Sequence, residues 1–173
     1  MEFFDVIENR RSVRSFQKKE VEEEKINKIL DTANRAPSAG DLQAYEIVLI
    51  KDLKTKRMLC QAALGQGAIE QANVVLVFFA NPKKSEIKYG RRGATLYSIQ
   101  DATIACAHAQ LAVHALGLVC VWIGAFDDNK VKKILHAPED LKPIAILSIG
   151  YAAEKPYPTP RRAISDLVHK ERF

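Results

Sequence analysis

The residues with the clearest potential for chemistry are arginines, which occur in three clusters. Arg10, Arg11 and Arg14 form the first cluster, residues 91–92 the second, and residues 161–162 the third. An arginine binds phosphate through a planar fork of donors, so paired arginines in loops favour anion capture over solubility alone. For any one pair, however, an ordinary charged surface remains the leading interpretation. The partner of such clusters would be a nucleic acid or a small phosphorylated ligand.

Other motifs for phosphate or metal binding are not found. No G-x-x-x-x-G-K-[ST] motif occurs, which excludes a P-loop. The Gly-Gln-Gly segment at 65–67 begins like a dinucleotide fingerprint, but Glu70 replaces the third glycine and the segment precedes a strand, so a Rossmann site is not expected. Cys106 and His108 are two positions apart on a predicted helix and diverge by about 200°. No other group has metal-ligand spacing, so we expect no metal.

Length and composition favour one folded cytoplasmic domain spanning 1–173. Hydrophobic residues make up 47% and charged residues 27%, and the net charge is +5. No apolar run is long enough for a membrane span, and the first residues lack the basic region of a signal peptide. Three cysteines without a C-x-x-C motif fit a reducing compartment. No helix-turn-helix signature or continuous basic face occurs, so we expect no nucleic-acid partner.

Hydrophobic periodicity predicts a small sheet among helices. The predicted helices cover residues 2–9, 22–35, 53–64, 96–116 and 127–136. The predicted strands cover residues 47–50, 73–80, 118–123 and 143–149. Residues 83–93 are basic and contain two glycines, which is typical of a mobile loop or a short helix. Strands separated by helices indicate an α+β or α/β sandwich.

The segment after Gly150 differs in kind from the rest. Pro156, Pro158 and Pro160 force an extended path with few backbone hydrogen bonds, and apolar residues then return at 164–173. An extended segment with an apolar end needs a surface to cover it. We call residues 151–173 the C-terminal arm and expect it either to wrap its own domain or to embrace a second subunit.

Five motifs in one order carry the remaining signal. They are Arg10–Phe16, Ala36–Gln43, Asp101, Trp122–Phe126 and Pro160–Arg162. In this order they resemble the nitroreductase family of FMN-dependent oxidoreductases, and among these the short members without helical insertions. The resemblance spans essentially the whole chain. It implies an α+β three-layer sandwich, with a small central sheet flanked by helices and the C-terminal arm exchanged in a homodimer.

The resemblance also implies which residues bind FMN. It gives the phosphate to Arg10, Arg11, Ser12, Arg161 and Arg162. It places Arg14 where family members carry a basic residue that stabilises the negative charge of the reduced flavin. Charge-assisted hydrogen bonds contribute roughly 1.5–3 kcal/mol each, so four or five such donors can hold the phosphate without a covalent bond.

A second group matches the loop that, in the family, reaches the flavin of the other subunit. It consists of Pro37, Ser38, Ala39, Asp41 and Gln43. The sequence departs from the family here, because the usual Asn is Asp41 and the usual Pro-Trp is Ala44-Tyr45. An anionic carboxylate beside the flavin would disfavour its reduced form unless it is protonated or turned away.

A third group matches the surroundings of the reactive flavin atom N5. Gly124 and Ala125 match backbone contacts there, where a larger side chain would block the approach of hydride. Gln66 is expected at the flavin edge. No catalytic side chain is required, since the flavin itself carries the hydride.

The expected function is that of an FMN-dependent NAD(P)H oxidoreductase. NADH or NADPH would be the electron donor, and a ping-pong reaction through N5 would reduce a small-molecule acceptor such as a quinone, a nitroaromatic compound or free flavin. One alternative is a specialised enzyme of the same fold, for biosynthetic dehydrogenation or flavin breakdown. A second is a non-enzymatic basic dimer that binds a polyanion.

Overall fold

Four strands form a single sheet in the order β1-β2-β4-β3, and every neighbouring pair is antiparallel. The computed structural model describes residues 2–173. The strands are β1 Tyr45–Ile50, β2 Val74–Ala80, β3 Val119–Ile123 and β4 Lys142–Gly150. The antiparallel pairing makes the fold α+β and decides against the α/β alternative, which requires parallel strands.

Within residues 2–173, seven helices surround the sheet. They are α1 Phe3–Asn9, α2 Glu23–Asn34, α3 Leu53–Ala62, α4 Ala68–Gln71, α5 Pro82–Arg92, α6 Ser98–Ala115 and α7 Asp128–Leu135. Residues 83–93, predicted as a loop or short helix, belong mostly to α5, and a π-helical turn Gly93–Tyr97 joins it to α6. Among the described helices, none combines the length and the apolar character needed to cross a membrane.

The sheet is buried on both faces, as the inner strand β2 shows. All seven residues of β2 are buried, and their side chains alternate between the two faces. Leu76 and Phe78 belong to the core that also contains residues of α2 and α6. Val75, Val77 and Phe79 belong to the opposite core, with residues of α3, α4 and α7. The helix–sheet–helix arrangement confirms the predicted three-layer sandwich.

Helix α6 packs closely on the sheet because its buried positions are small. Ala102, Ala105, Ala109 and Ala112 are buried at spacings of three or four residues and so share one side of the helix. The helix ends before Gly117, which has a positive φ of 74°. The predicted helix 96–116 ends one residue beyond the observed end at Ala115.

The two ends of the chain meet at one edge of the sheet. The Val13 N–H donates to the Cys120 carbonyl of β3, and the Gln17 N–H donates to the Tyr151 carbonyl just beyond β4. The Ala153 N–H returns a hydrogen bond to the Ser15 carbonyl. Because β3 and β4 are neighbours, this pairing places the start of the C-terminal arm beside the segment that follows α1.

Candidate functional site

The first arginine cluster and Arg161 of the third share one cleft of about 420 Å³, which we call the cation cleft. Ser12, Tyr157 and Thr159 contribute hydroxyl groups to its lining, and the cationic side chains are those of Arg10, Arg11, Arg14, Lys155 and Arg161. Glu154 contributes the single carboxylate, so the lining carries a formal surplus of four positive charges. A concave surface with this surplus and several N–H donors suits a phosphate group.

The positive charge of Arg10 and Arg11 also acts on two buried or half-buried groups outside the cleft lining. The pKa of His114 is lowered, mainly by burial and further by the charges of Arg10 and Arg11. Burial raises the pKa of the Cys120 thiol to about 12, although the nearby Arg10 acts in the opposite direction. Both groups are therefore neutral near pH 7 and add no charge of their own.

Two of the predicted phosphate ligands are engaged locally. The Arg11 guanidinium donates to the Glu8 carbonyl at 2.5 Å and to the Arg10 carbonyl at 2.8 Å, which caps the end of α1. Arg162 is not part of the cleft lining, and its guanidinium donates to the Asp166 carbonyl within the C-terminal arm. The arginines of the cleft lining that remain available to bind a ligand are therefore Arg10, Arg14 and Arg161.

The third predicted group meets at the far end of β3. Gly124 and Ala125 are exposed directly after the strand, and the Gln66 amide donates to the Ala125 carbonyl at 3.0 Å. Cys120, beside the cation cleft, and Gly124 are four positions apart, which corresponds to about 13 Å along the strand. One elongated phosphorylated ligand would therefore reach both places.

The second predicted group forms a loop held by a buried carboxylate. We call residues 37–43 the Ser38 loop. Asp101 of α6 is only 2% exposed, and its two oxygens accept from the backbone N–H groups of Ala39 at 2.9 Å and Ala44 at 3.4 Å. The Ser38 hydroxyl accepts from the Gln43 N–H at 2.9 Å. Asp101 therefore fixes both ends of the loop.

Backbone strain in the Ser38 loop explains why it needs this anchor. Gly40, Asp41 and Gln43 all have positive φ, at 58°, 58° and 44°. For non-glycine residues this conformation costs on the order of 1–3 kcal/mol each and persists only where the surroundings enforce it. The Gln43 amide donates to the Asp41 carboxylate at 2.6 Å, so the unexpected acid at position 41 is paired within the loop.

The Ser38 loop and the cation cleft lie at diagonally opposite corners of the sheet. The loop leads into Tyr45, which pairs with Ala80 on β2, whereas Cys120 beside the cleft pairs with Ile149, which in turn pairs with Val74. Three strand spacings of about 14 Å and a length of about 20 Å along β2 separate the corners. The two groups of one chain thus do not form a single small site.

Glu154 is a residue of the cleft that sequence reasoning missed. Its carboxylate accepts from the backbone N–H groups of Arg14 at 2.7 Å and Ser15 at 3.2 Å. The two partners lie about 140 positions earlier in the chain, so no local pattern signals this contact. The two hydrogen bonds tie the C-terminal arm to the segment that carries the first arginine cluster.

Comparison with known sequences identifies the family of this fold. The family model described as "Nitroreductase family" matches residues 7–72 and 58–151. The chain belongs to the nitroreductase family. The resemblance drawn from the five sequence motifs is thereby confirmed, and the match covers the first arginine segment, the Ser38 loop and the Gly124 turn.

Individual nitroreductase-family relatives align over nearly the whole chain. An NADH dehydrogenase of Thermus thermophilus is 34% identical over 186 residues, covering 92% of this chain and 91% of its own. An FMN reductase [NAD(P)H] of Bacillus subtilis is 29% identical, covering 94% of this chain and 71% of its own. The solved FMN-dependent nitroreductase of Clostridium difficile R20291 superposes with a TM-score of 0.81 at 29% identity, covering 98% and 99% of the two chains.

Replacement of the loop anchor is expected to loosen the Ser38 loop. In Asp101→Asn, the buried side chain keeps one acceptor oxygen and loses its charge, so either Ala39 or Ala44 loses its partner. We expect the free energy of unfolding to fall by about 1–3 kcal/mol, and amide exchange at these two positions to accelerate. Denaturant titration and hydrogen exchange measure the two effects.

Asp31→Asn is the matched control, because Asp31 forms an exposed ion pair with Arg35 on α2. Its loss is expected to change stability by less than about 0.5 kcal/mol. Equal effects of the two substitutions, or unchanged exchange in Asp101→Asn, would contradict the anchoring role.

Proposed function

We propose that this protein is an FMN-dependent NAD(P)H oxidoreductase with a ping-pong reaction. NADH or NADPH binds, gives up a hydride and leaves, and a quinone, a nitroaromatic compound or free flavin then takes the hydride at the same site. When bound, FMN supplies the ring atom, N5, that accepts and releases the hydride. The observation that carries the proposal is the cation cleft, with the small residues Gly124 and Ala125 at the other end of β3. The names of the Bacillus subtilis and Clostridium difficile relatives support it.

The chemistry of the cation cleft fits the phosphate of FMN. Arg10, Arg161 and the Ser12 hydroxyl offer donors to its oxygens, and Lys155 adds a charge at the rim. A phosphate near the dianionic state offsets about half of the surplus of four positive charges of this lining. The donors come from both ends of the chain, so ligand binding would fasten the C-terminal arm in place.

Arg14 is the residue we propose to stabilise the reduced cofactor. Its backbone N–H is bonded to Glu154, whereas among residues 2–173 its guanidinium forms no ion pair with a carboxylate. A cation without an internal counter-charge lowers the energy of negative charge that develops next to it. This side chain therefore acts electrostatically and transfers no proton.

The turn after β3 is proposed to leave the reacting face open. Gly124 and Ala125 project at most a methyl group, and Gln66 holds the Ala125 carbonyl, which fixes the turn. A rigid backbone with small side chains permits a nicotinamide ring or an acceptor to approach closely.

We further propose that two copies of the chain complete each site. The Ser38 loop and the cation cleft lie too far apart within one chain, as the strand pairing indicates. Every residue from 157 to 173 is exposed, including Ile164 at 73% and Val168 at 58%. An apolar groove of about 440 Å³ between α1, α2 and α6 is also uncovered. A homodimer with exchanged C-terminal arms would bury this apolar surface and bring a Ser38 loop to the other copy's cleft.

The cytoplasmic location stays a prediction.

The proposal is tested first by the visible spectrum of the purified protein. We expect the absorbance bands of oxidised flavin, present on purification or after incubation with FMN, and their bleaching when NADH or NADPH is added without oxygen. Addition of menadione should then restore the bands. A protein that stays colourless with excess FMN would contradict the proposal.

Arg10→Ala is expected to weaken FMN binding by about 10- to 100-fold, because it removes charge-assisted hydrogen bonds worth roughly 1.5–3 kcal/mol. Titration of flavin fluorescence measures the dissociation constant. Arg57→Ala is the control, since Arg57 is an exposed arginine paired with Glu70 away from the cleft. Equal affinities of the two variants would remove Arg10 from the site.

The role of the C-terminal arm is tested with Ile164→Asp combined with Val168→Asp. A charge at each apolar position opposes burial against a second copy, so we expect loss of the dimer and of tightly bound FMN. Size-exclusion chromatography with light scattering compares the mass with that of one 19.3 kDa chain. Ser165→Asp, on the same 3-10 turn, should leave the dimer intact. A flavin-loaded dimer of the double variant would refute arm exchange.

A further inference from the structure

A cluster of cations and aromatic rings on α5 and the π-helical turn after it has been given no role so far. We call Lys88, Tyr89, Arg92 and Tyr97 the α5 cluster. The rings of Tyr89 and Tyr97 meet edge to face with centroids 5.2 Å apart. The Arg92 Nε donates to the Tyr97 hydroxyl at 3.0 Å, and the Lys88 Nζ lies 5.5 Å from the Tyr89 ring centroid. The cluster is therefore an ordered arrangement of two cations on two rings.

The α5 cluster borders the Ser38 loop. A Cβ atom built on Gly40 would lie 2.6 Å from the Lys88 Nζ and would also collide with the Tyr89 hydroxyl. Tyr97 lines the same cleft, of about 510 Å³, as Ser38 and Asp101. The absence of a side chain at Gly40, where φ is +58°, leaves room for the ends of Lys88 and Tyr89. The α5 cluster thus adjoins the Ser38 loop through Lys88 and Tyr89 and lines its cleft through Tyr97.

The two cations of the α5 cluster, and Arg91 beside them on the same helix, are not neutralised by carboxylates of residues 2–173. Across residues 2–173, Lys88, Arg91 and Arg92 form no ion pair with a carboxylate, whereas Lys83 of the same helix pairs with Asp140 at 3.5 Å. All three unpaired cations are exposed. Arginine beside tyrosine provides both donors for a phosphate and a face for a heterocyclic base. A phosphorylated nucleotide combines these two chemical groups.

We propose that the α5 cluster binds the 2′-phosphate and adenine of NADPH and so makes NADPH the preferred donor over NADH. The inference rests on the proposed function, because a donor must bring its nicotinamide to a flavin bordered by the Ser38 loop. The rest of the dinucleotide, which carries the adenine and the 2′-phosphate, then extends over the neighbouring α5 cluster. A pyrophosphate carries about two negative charges and the 2′-phosphate adds up to two more, which suits a surface with three unpaired cations. Arg92, oriented by Tyr97, is the specificity-determining residue.

The kinetic test compares the two donors in the flavin-loaded enzyme. For Arg92→Ala, and for the variant that combines it with Lys88→Ala, we expect the ratio of kcat/KM for NADPH to that for NADH to fall about tenfold or more. Lys83→Ala removes a paired cation from the same helix and should leave the ratio unchanged. A wild-type ratio at or below one, or a variant that weakens both donors equally, would overturn the inference.

A binding measurement that needs no turnover complements the kinetics. FMN-loaded protein is titrated calorimetrically with adenosine 2′,5′-bisphosphate and, separately, with adenosine 5′-monophosphate, so that the cation cleft is already filled. We expect tighter binding of the bisphosphate, and loss of this difference in Arg92→Ala. Equal binding of both nucleotides by the wild type would refute 2′-phosphate recognition. Failure to load FMN at all would instead refute the proposed function.

Discussion

The arrangement of the candidate site depends on backbone hydrogen bonds between opposite ends of the chain. The segment after α1 is bonded to Cys120 of β3, and also to Tyr151 and Ala153 beyond β4. Arginines of like charge do not attract one another, so they cannot assemble a cluster themselves. The backbone bonds, each contributing about 0.5–1.5 kcal/mol net, and the burial of Val13 and Phe16 bring them together.

The predicted elements followed from hydrophobic periodicity, because burial on a sheet or helix face repeats locally in sequence. Strand β2 and the end of helix α6 were each located to within one residue. The antiparallel strand order was not predictable, since it depends on which strands pair after the chain has turned back. Helix α5 was left open between a loop and a helix, because its basic, glycine-containing sequence has no clear apolar side.

For the candidate site, residue types were predictable from the sequence, but the contacts between them were not. Arg10, Arg11, Ser12 and Arg161 were predicted at one phosphate site, and all four line one cleft. Arg162 was grouped with them, yet its guanidinium is bonded within the arm, a detail of side-chain direction that spacing does not encode. Asp101 was part of a motif, but its hydrogen bonds to the Ser38 loop span about 60 positions and leave no local trace.

The Glu154 carboxylate has a consequence for how such a cleft exists before any ligand arrives. Its bonds to the amides of Arg14 and Ser15 supply an internal counter-charge and hold the surrounding main chain in place. Self-repulsion among the guanidinium groups is thereby reduced, and the receptor is preorganised for an incoming anion. Less conformational freedom remains to be lost on association, so more of the electrostatic attraction is expressed as affinity.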